Sequence, residues 1–479
     1  MNLRKNLITN LILTSSNALF PIITFPYVTR ILSIESYGRI AFIEAFTGYF
    51  LLFSALGIPL YGIREIAKIK SNPSGCTKLV LELTCLQLAL SLFFSLTYLI
   101  AAFFIPSLQD NLDMVKVACL ILIGSSFSIE WFFQGIEKFS YITYRSLFTK
   151  SLNVLSILLF VNASDDYLVY YMISAATVIL NAGWNFAYFL RRFYTEVTVP
   201  LSIKNHLKPL LVLFSINISI SFYTILDTVI LGLLTNSVNV SFYSVPLRFV
   251  KIFWTIVSGI GVVIIPRMAD MFKRDDTYAI QSLIRKSTNI VFLITIPFCA
   301  ICMAFPQEIL SSISSEKYNQ AADALRVLSA VPLVIGICNV LGTQFLLPIG
   351  QERKILHATI AGLVISLVLN FTLIPSMGYL GASIACLAAE SAVCIYIFLV
   401  ARKYTNVRID FSLIIQIALS LVVSLGAALS FGSMSKVVLL ATAGMMYVMT
   451  FCLLQILYFK NEFVFSLLPR NMRDRLHNV

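Results

Sequence analysis

Charge is scarce in this chain of 479 residues, where Asp, Glu, Lys and Arg together make up only 12%. Soluble globular proteins carry about 25%. Histidine is nearly absent: His206, His357 and His477 are the only three, and each falls in or beside a connection on one side or in the tail. No apolar stretch therefore holds a histidine deep enough to serve as a buried general base. No Gly-x-x-x-x-Gly-Lys-Ser/Thr loop occurs, which excludes ATP-driven work by this chain alone. The longest connection between apolar stretches, 266–286, leaves no room for a soluble catalytic domain. The nine cysteines are odd in number, and all but Cys76 sit in apolar stretches. Cys299 and Cys302 have the spacing of a metal or redox pair, yet no His or second pair lies near them in sequence, so they read as small buried hydrophobes. No metal or cofactor is expected.

Long apolar runs are what the chain has instead, and 58% of its residues are hydrophobic. Fourteen stretches can be marked, at 7–31, 38–63, 79–105, 114–136, 141–162, 167–190, 209–235, 241–265, 287–308, 325–349, 355–376, 379–400, 412–431 and 436–459. Each approaches the ~20 residues that a helix needs to cross a bilayer core. The charged start Met1–Leu7 precedes a run too long for a signal peptide, with no small-residue cleavage site, so it reads as an uncleaved first span.

The basic residues are sorted by side. The N-terminus, the even-numbered connections and the C-terminal tail hold 25 of the 35 Lys and Arg, whereas the odd-numbered connections hold only Lys317. The positive-inside rule then predicts both termini in the cytoplasm of a bacterial inner-membrane protein. The formal net charge of +12 faces anionic lipid headgroups, which accounts for it without any nucleic acid.

An internal echo suggests symmetry. Gly135-Ile136-Glu137-Lys138 joins spans four and five, and Gly350-Gln351-Glu352-Arg353 joins spans ten and eleven. Each turn leads into a span with an asparagine, Asn153 or Asn370. Six spans separate the turns, so the two halves share one orientation. The expected fold class is all-α and polytopic, with about fourteen transmembrane helices in two pseudo-symmetric six-helix lobes and a C-terminal hairpin. Polar linkers place the N-terminal lobe at 1–200, the C-terminal lobe at 201–403, and the hairpin with its tail at 404–479.

Several segments together resemble one family. They are Pro26-Tyr27-Val28-Thr29-Arg30-Ile31-Leu32 with Tyr37-Gly38, Leu56-Gly57-Ile58-Pro59-Leu60-Tyr61-Gly62-Ile63-Arg64-Glu65-Ile66-Ala67-Lys68, and Trp131-Phe132-Phe133-Gln134-Gly135-Ile136-Glu137-Lys138. Leu226-Asp227-Thr228-Val229-Ile230-Leu231-Gly232, Ile265-Pro266-Arg267-Met268 and Gly378-Tyr379-Leu380-Gly381-Ala382 continue the series. In this order they resemble bacterial O-antigen and polysaccharide-unit flippases of the Wzx type. That resemblance implies the multidrug/oligosaccharidyl-lipid/polysaccharide exporter fold, two lobes about a central cavity. It also implies a substrate: an oligosaccharide repeat unit on a polyprenyl diphosphate, moved from the cytoplasmic to the periplasmic leaflet.

Ionisable groups inside the spans carry the candidate chemistry, because charge at mid-bilayer is costly and usually faces a cavity or a partner. Asp227 and Arg248 lie in adjacent spans, each roughly 11–12 Å below the outer edge at 1.5 Å per residue. Lys251 follows Arg248 at i+3, on the same face. Lys150 falls near the midplane of span five, and Arg145 nearer the cytoplasmic side. Arg248, Lys251 and Lys150 are the expected diphosphate site, since their donors replace the hydration an anion loses. The plainer alternative is an Asp227–Arg248 structural pair with Lys150 snorkelling to the interface.

Arg30 and Arg39, flanking the first outer turn, and Arg64 at the inner end of span two are gate or headgroup contacts, or simple interfacial anchors. Asp227, Glu390 and Glu44 are candidates for coupling to protons or sodium, because burial raises a carboxylate's affinity for a proton. A packed, neutral glutamate is the competing reading of Glu390, and Glu130 beside Trp131 reads as structural. Pro21 and Pro26 would bend the first span. Other assembly proteins are possible partners.

Two rivals share the fold: an exporter of cationic drugs, whose cavity should be acidic, and a flippase for peptidoglycan precursors. A membrane-embedded glycosyltransferase or polymerase is a third, supported by the paired acids Asp165-Asp166 but opposed by the shortness of the outer connections.

Overall fold

A computed structural model describes residues 13, 16, 20–197, 200–406, 410–430, 436–455 and 464, without the side chains of 215–224, 256–263, 428–430, 436–439 and 441. The described residues are helical, with no strand among them. Eight helical segments in this set are long and apolar enough to cross a membrane by length and composition. Parts of the first, thirteenth and fourteenth expected spans lie outside the described residues.

The chain gathers into two compact units, Met1–Ser244 with Asn370–Gly378, and Val245–Leu369 with Tyr379–Val479. The first unit therefore reaches past the polar linker near 200 and takes in the following turn at 235–236. In it, helices α1 (Ile34–Ala55), α2 (Ile58–Ile69), α3 (Pro73–Phe104), α4 (Leu112–Ser125), α5 (Glu130–Gly135), α6 (Phe139–Phe160), α7 (Tyr167–Arg192) and α8 (Lys204–Leu234) run in order. Helix α1 packs against α3, α4, α7 and α8. Helix α9 (Ser237–Lys273) begins in this unit and continues into the second.

Spans two and four are broken helices. Span two parts into α1 and α2 at Leu56 and Gly57, both left-handed at φ 44° and 77°. Gly57 takes that conformation without a Cβ penalty, and Pro59 starts the next helix where its missing N–H has no role. Span four parts into α4 and α5 at Ser126–Ile129.

Glycines set the closest helix approaches. A Cβ at Gly62 would stand 2.3 Å from the Trp131 ring, and one at Gly135 would stand 2.7 Å from Ile66. Two of the family-like segments, 56–68 and 131–138, therefore lock together, and Lys70 and Glu137 close the contact at 3.1 Å. Beside them Phe132, Phe133, Tyr141, Tyr188 and Phe189 stack edge to face and face to face, an arrangement favoured by their quadrupoles. At the other end of α1, a Cβ on Gly38 would meet the Ser237 carbonyl oxygen at 1.7 Å. Only glycine fits there.

In the second unit α10 (Thr277–Ala304) packs against α13 (Val331–Cys338), following α11 (Pro306–Ile313) and α12 (Ala322–Leu328). A π-helical stretch, Asn339–Leu346, extends α13. Then come α14 (Glu352–Met377), which ends in the first unit, and α15 (Tyr379–Ala401). The last hairpin, α16 (Phe411–Ser430) and α17 (Lys436–Leu454), packs on itself and against α10.

The turn echo is present in the backbone, but two residues out of the register its sequence suggests. Glu137 (φ 61°) and Gly350 (φ 75°) occupy the equivalent left-handed position. Each is followed by an amide that bonds five residues back, Lys138 to Phe133 at 2.8 Å and Gln351 to Leu346 at 3.0 Å. This is a helix-ending bond pattern that satisfies the last carbonyls. Gly135 serves helix packing instead.

Candidate functional site

Asp227 is the most enclosed of the expected site residues in the first unit, at 4% exposure on α8. Tyr243 donates its hydroxyl proton to one carboxylate oxygen at 3.0 Å, and the Asn370 amide donates to the other at 2.6 Å. The short turn 235–236 folds α9 back beside α8, which brings Tyr243 to Asp227 across sixteen positions of sequence. Asn370 arrives from α14, 143 residues away. A buried carboxylate needs such donors, because an unsatisfied one is strongly disfavoured.

Lys150 is half-buried on α6; its ammonium donates to the Ser16 hydroxyl at 3.0 Å and lies 5.9 Å from the centre of the Phe20 ring. One turn before it, buried Arg145 pairs with Glu130 at 2.8 Å. The row Arg145, Thr149, Asn153 faces polar partners: Thr149 donates to Asn181 at 3.1 Å, and Asn153 donates to Thr177 at 2.8 Å. That i, i+4, i+8 spacing puts the polar groups on one face of α6, so polar residues of this helix serve both structure and a candidate site.

Glu44 is half-buried on α1, three residues before Thr47, whose hydroxyl meets Tyr98 at 3.2 Å and Tyr171 at 3.4 Å. Arg30 is exposed. Arg39 is half-buried, bonded to Glu35 at 2.7 Å and placed 5.6 Å from the Tyr167 ring centre. Arg64 is exposed and bonded to Glu65 at 3.0 Å, with Lys68 on the same carboxylate at 2.9 Å. In the second unit Arg248 and Lys251 are both half-buried on α9. Glu390 stands on α15 at 5% exposure.

A network that sequence reading overlooked surrounds Glu82, buried on α3. One carboxylate oxygen meets the His206 Nε2 at 2.9 Å, and the other accepts the Ser202 amide at 2.5 Å. The Tyr61 hydroxyl reaches the other ring nitrogen of His206 at 2.7 Å, and Lys78 stands 3.9 Å from the carboxylate. Three segments are thus tied together at one end of the unit. Glu82 sits only three residues inside its apolar stretch, where an acid reads as an interfacial group. Its partners lie 120 and 124 residues away. In the opposite connection Asp166 accepts the backbone amides of Ala163 and Asn162 at 2.7 and 2.8 Å, which holds its carboxyl below the ordinary range.

Among the described residues no group of three His, Cys, Asp or Glu side chains could hold a metal ion.

Comparisons with known proteins give this geometry a family. A protein of Escherichia coli (strain K12) described as a candidate O-antigen transporter is 23% identical over 414 residues, which covers 84% of this chain and 97% of that protein. The lipid II flippase MurJ in an inward closed conformation superposes with a TM-score of 0.63 over 91% of this chain and 98% of its own, at 12% identity. An inward-facing multidrug resistance MATE family transporter of the MOP superfamily superposes with a TM-score of 0.61 over 83% of this chain and 97% of its own, at 16% identity. The fold is therefore that of these polytopic transporters. A family model named MatE matches 213–372. The model for polysaccharide biosynthesis proteins matches residues 3–272, more than half of the chain, and the chain belongs to that family.

Proposed function

We propose that this protein is a flippase that moves polyprenyl-diphosphate-linked oligosaccharide repeat units, of O-antigen, capsule or a related surface polysaccharide, from the cytoplasmic to the periplasmic leaflet. The observation that carries this reading is family membership joined to similarity with an O-antigen transporter candidate over 84% of the chain. Cations on apolar helices support it: Lys150 on α6, and Arg248 with Lys251 on one face of α9. Guanidinium and ammonium donors suit a diphosphate that must leave its hydration shell. In this reading those three residues take the diphosphate, while Arg30, Arg39 and Arg64 meet headgroups near the two membrane faces.

The same reading makes the protein a transporter and not an enzyme. It resides in the bacterial inner membrane with both termini in the cytoplasm, where the basic connections face anionic lipid. Its two six-span lobes, divided near 200 and 403, alternate in access while the hairpin stands aside. Asp227, Glu390 and Glu44 are the groups that would exchange a proton or sodium ion for the movement. Asp227 is the strongest of them, because Tyr243 and Asn370 already orient its two oxygens.

The test is genetic and chemical. Deleting the gene should leave lipid-linked oligosaccharide on the inner leaflet, and the parent gene should restore its export. Arg248→Ala and Lys251→Ala should abolish export at unchanged protein abundance; export at the parent rate in both variants overturns the diphosphate assignment. Accumulation of a peptidoglycan precursor, or loss of drug efflux alone, would instead select one of the rival transporters.

A further inference from the structure

Glu130 opens α5 directly after the break in span four, and its carboxylate acts on two cations of α6. Arg145 meets it at 2.8 Å. Lys150 stands five residues further on, about 7.5 Å along the axis at ~1.5 Å per residue, with its ammonium in electrostatic reach of the same carboxylate. All three groups belong to one compact unit. We propose that Glu130 competes with an anionic diphosphate for Lys150, and so limits how tightly the protein holds its substrate. The inference rests on the reading of Lys150 as a diphosphate contact, and it gives Glu130 a working role in place of a structural one.

The shape of the ion pair carries the assignment. An arginine and a carboxylate that serve structure alone pair best through two parallel bonds, which use both carboxylate oxygens. Arg145 gives Glu130 a single nitrogen, Nη2, while its Nε and Nη1 find no acceptor among the described residues. Unmatched buried donors cost free energy, so the carboxylate is held away from its best geometry on the arginine. Its second oxygen, Oε1, accepts the Gln134 amide at a long 3.4 Å.

Exposure divides the partners too. The Arg145 side chain is 2% exposed and that of Glu130 36%. The arginine is the enclosed anchor, which meets no solute, and the carboxylate is the accessible end. Glu130 lies well inside an apolar stretch, where an ion faces a cavity or a partner and not acyl chains.

Charge explains why a transporter keeps an acid there. One carboxylate against two cations leaves the group net positive, which still attracts an anion. A diphosphate at Lys150 meets the Glu130 charge as well, and like charges at short range oppose each other. A site that carries cargo must also let it go, so very tight binding is a defect. Glu130 supplies the opposing charge from a fixed position.

Calorimetric titration of the full chain in lipid nanodiscs with inorganic pyrophosphate tests this, with empty discs as the blank. Glu130→Gln keeps an oxygen for Arg145 and removes the charge. It should tighten pyrophosphate binding about tenfold. In a Lys150→Gln background the same change should give no more than about twofold, because the competition is for Lys150. A purely structural pair predicts a lower unfolding midpoint in Glu130→Gln with pyrophosphate affinity unchanged, and that result overturns the proposal. So does full tightening that persists in Lys150→Gln. Should Glu130→Gln fail to fold, both charges are removed together, since deleting both partners leaves no orphan. Arg145→Gln with Glu130→Gln should then bind about tenfold tighter than Arg145→Gln alone, and equal affinity overturns the proposal. Binding that depends on Lys150 but not on Glu130 removes this inference alone. No binding in the parent or in Glu130→Gln, or binding that Lys150→Gln leaves unchanged, removes the diphosphate assignment of Lys150 and this inference with it.

Discussion

Two buried carboxylates of the first unit, Glu82 and Asp227, are held in opposite styles. Glu82 is gripped by an imidazole, a backbone amide and a nearby ammonium, and ties α3 to the segment that opens α8. Asp227 is oriented by a phenol and a carboxamide, both neutral donors. The first arrangement suits a joint, because it fastens three separate segments through groups that cannot leave without orphaning one another. The second suits a working group. Neutral donors orient a carboxylate without cancelling its charge.

Substitutions can break or sharpen that contrast. Asp227→Asn should have the largest effect on transport. Hydrogen bonds to charged groups contribute roughly 1.5–3 kcal/mol, so export should fall about ten- to a hundredfold at matched protein level. Export at the parent rate would remove Asp227 from the mechanism. Glu82→Ala should do the reverse. It orphans the Ser202 amide and the His206 Nε2, and should lower folding stability in detergent by about 2–3 kcal/mol while residual export follows the amount of folded protein. A specific transport defect with unchanged unfolding would erase the distinction between the two sites.

Tyr243→Phe removes one neutral donor from Asp227 and should cost about 1 kcal/mol of stability, with export reduced but measurable. A loss equal to that of Asp227→Asn would mean that the phenol itself takes part. Asp166 provides the smallest effect and a baseline. Its depressed pKa gives a contribution fully present above the ordinary carboxylate range and lost as pH falls toward the lowered value. Water screens this site, so Asp166→Asn should cost under about 0.5 kcal/mol at neutral pH. A larger shift in unfolding midpoint would show that this turn matters more than its exposure suggests.

The register of the turns shows how far sequence reading reaches. The repeated Gly-x-Glu-Lys/Arg chemistry locates both turns, because glycine and charge mark a chain leaving an apolar span. It misaligns them, because Gly135 is needed against Ile66 and the left-handed turn position falls on Glu137. Spans two and four show the same limit: hydropathy continues across Leu56-Gly57 and across Ser126–Ile129, while the helix does not. Asp227 stands out in sequence as an acid far from any interface, whereas Glu82 near a span end does not.

Composition and order alone determined that this chain is apolar, helical and sorted by charge, because hydrocarbon demands long runs of satisfied backbone and tolerates few ions. The family-like segments, being local in sequence, were legible for the same reason. Which donors meet Asp227 and Glu82 only tertiary structure decided. Those partners lie in separate helices or turns, and no spacing along one helix encodes a contact made between two.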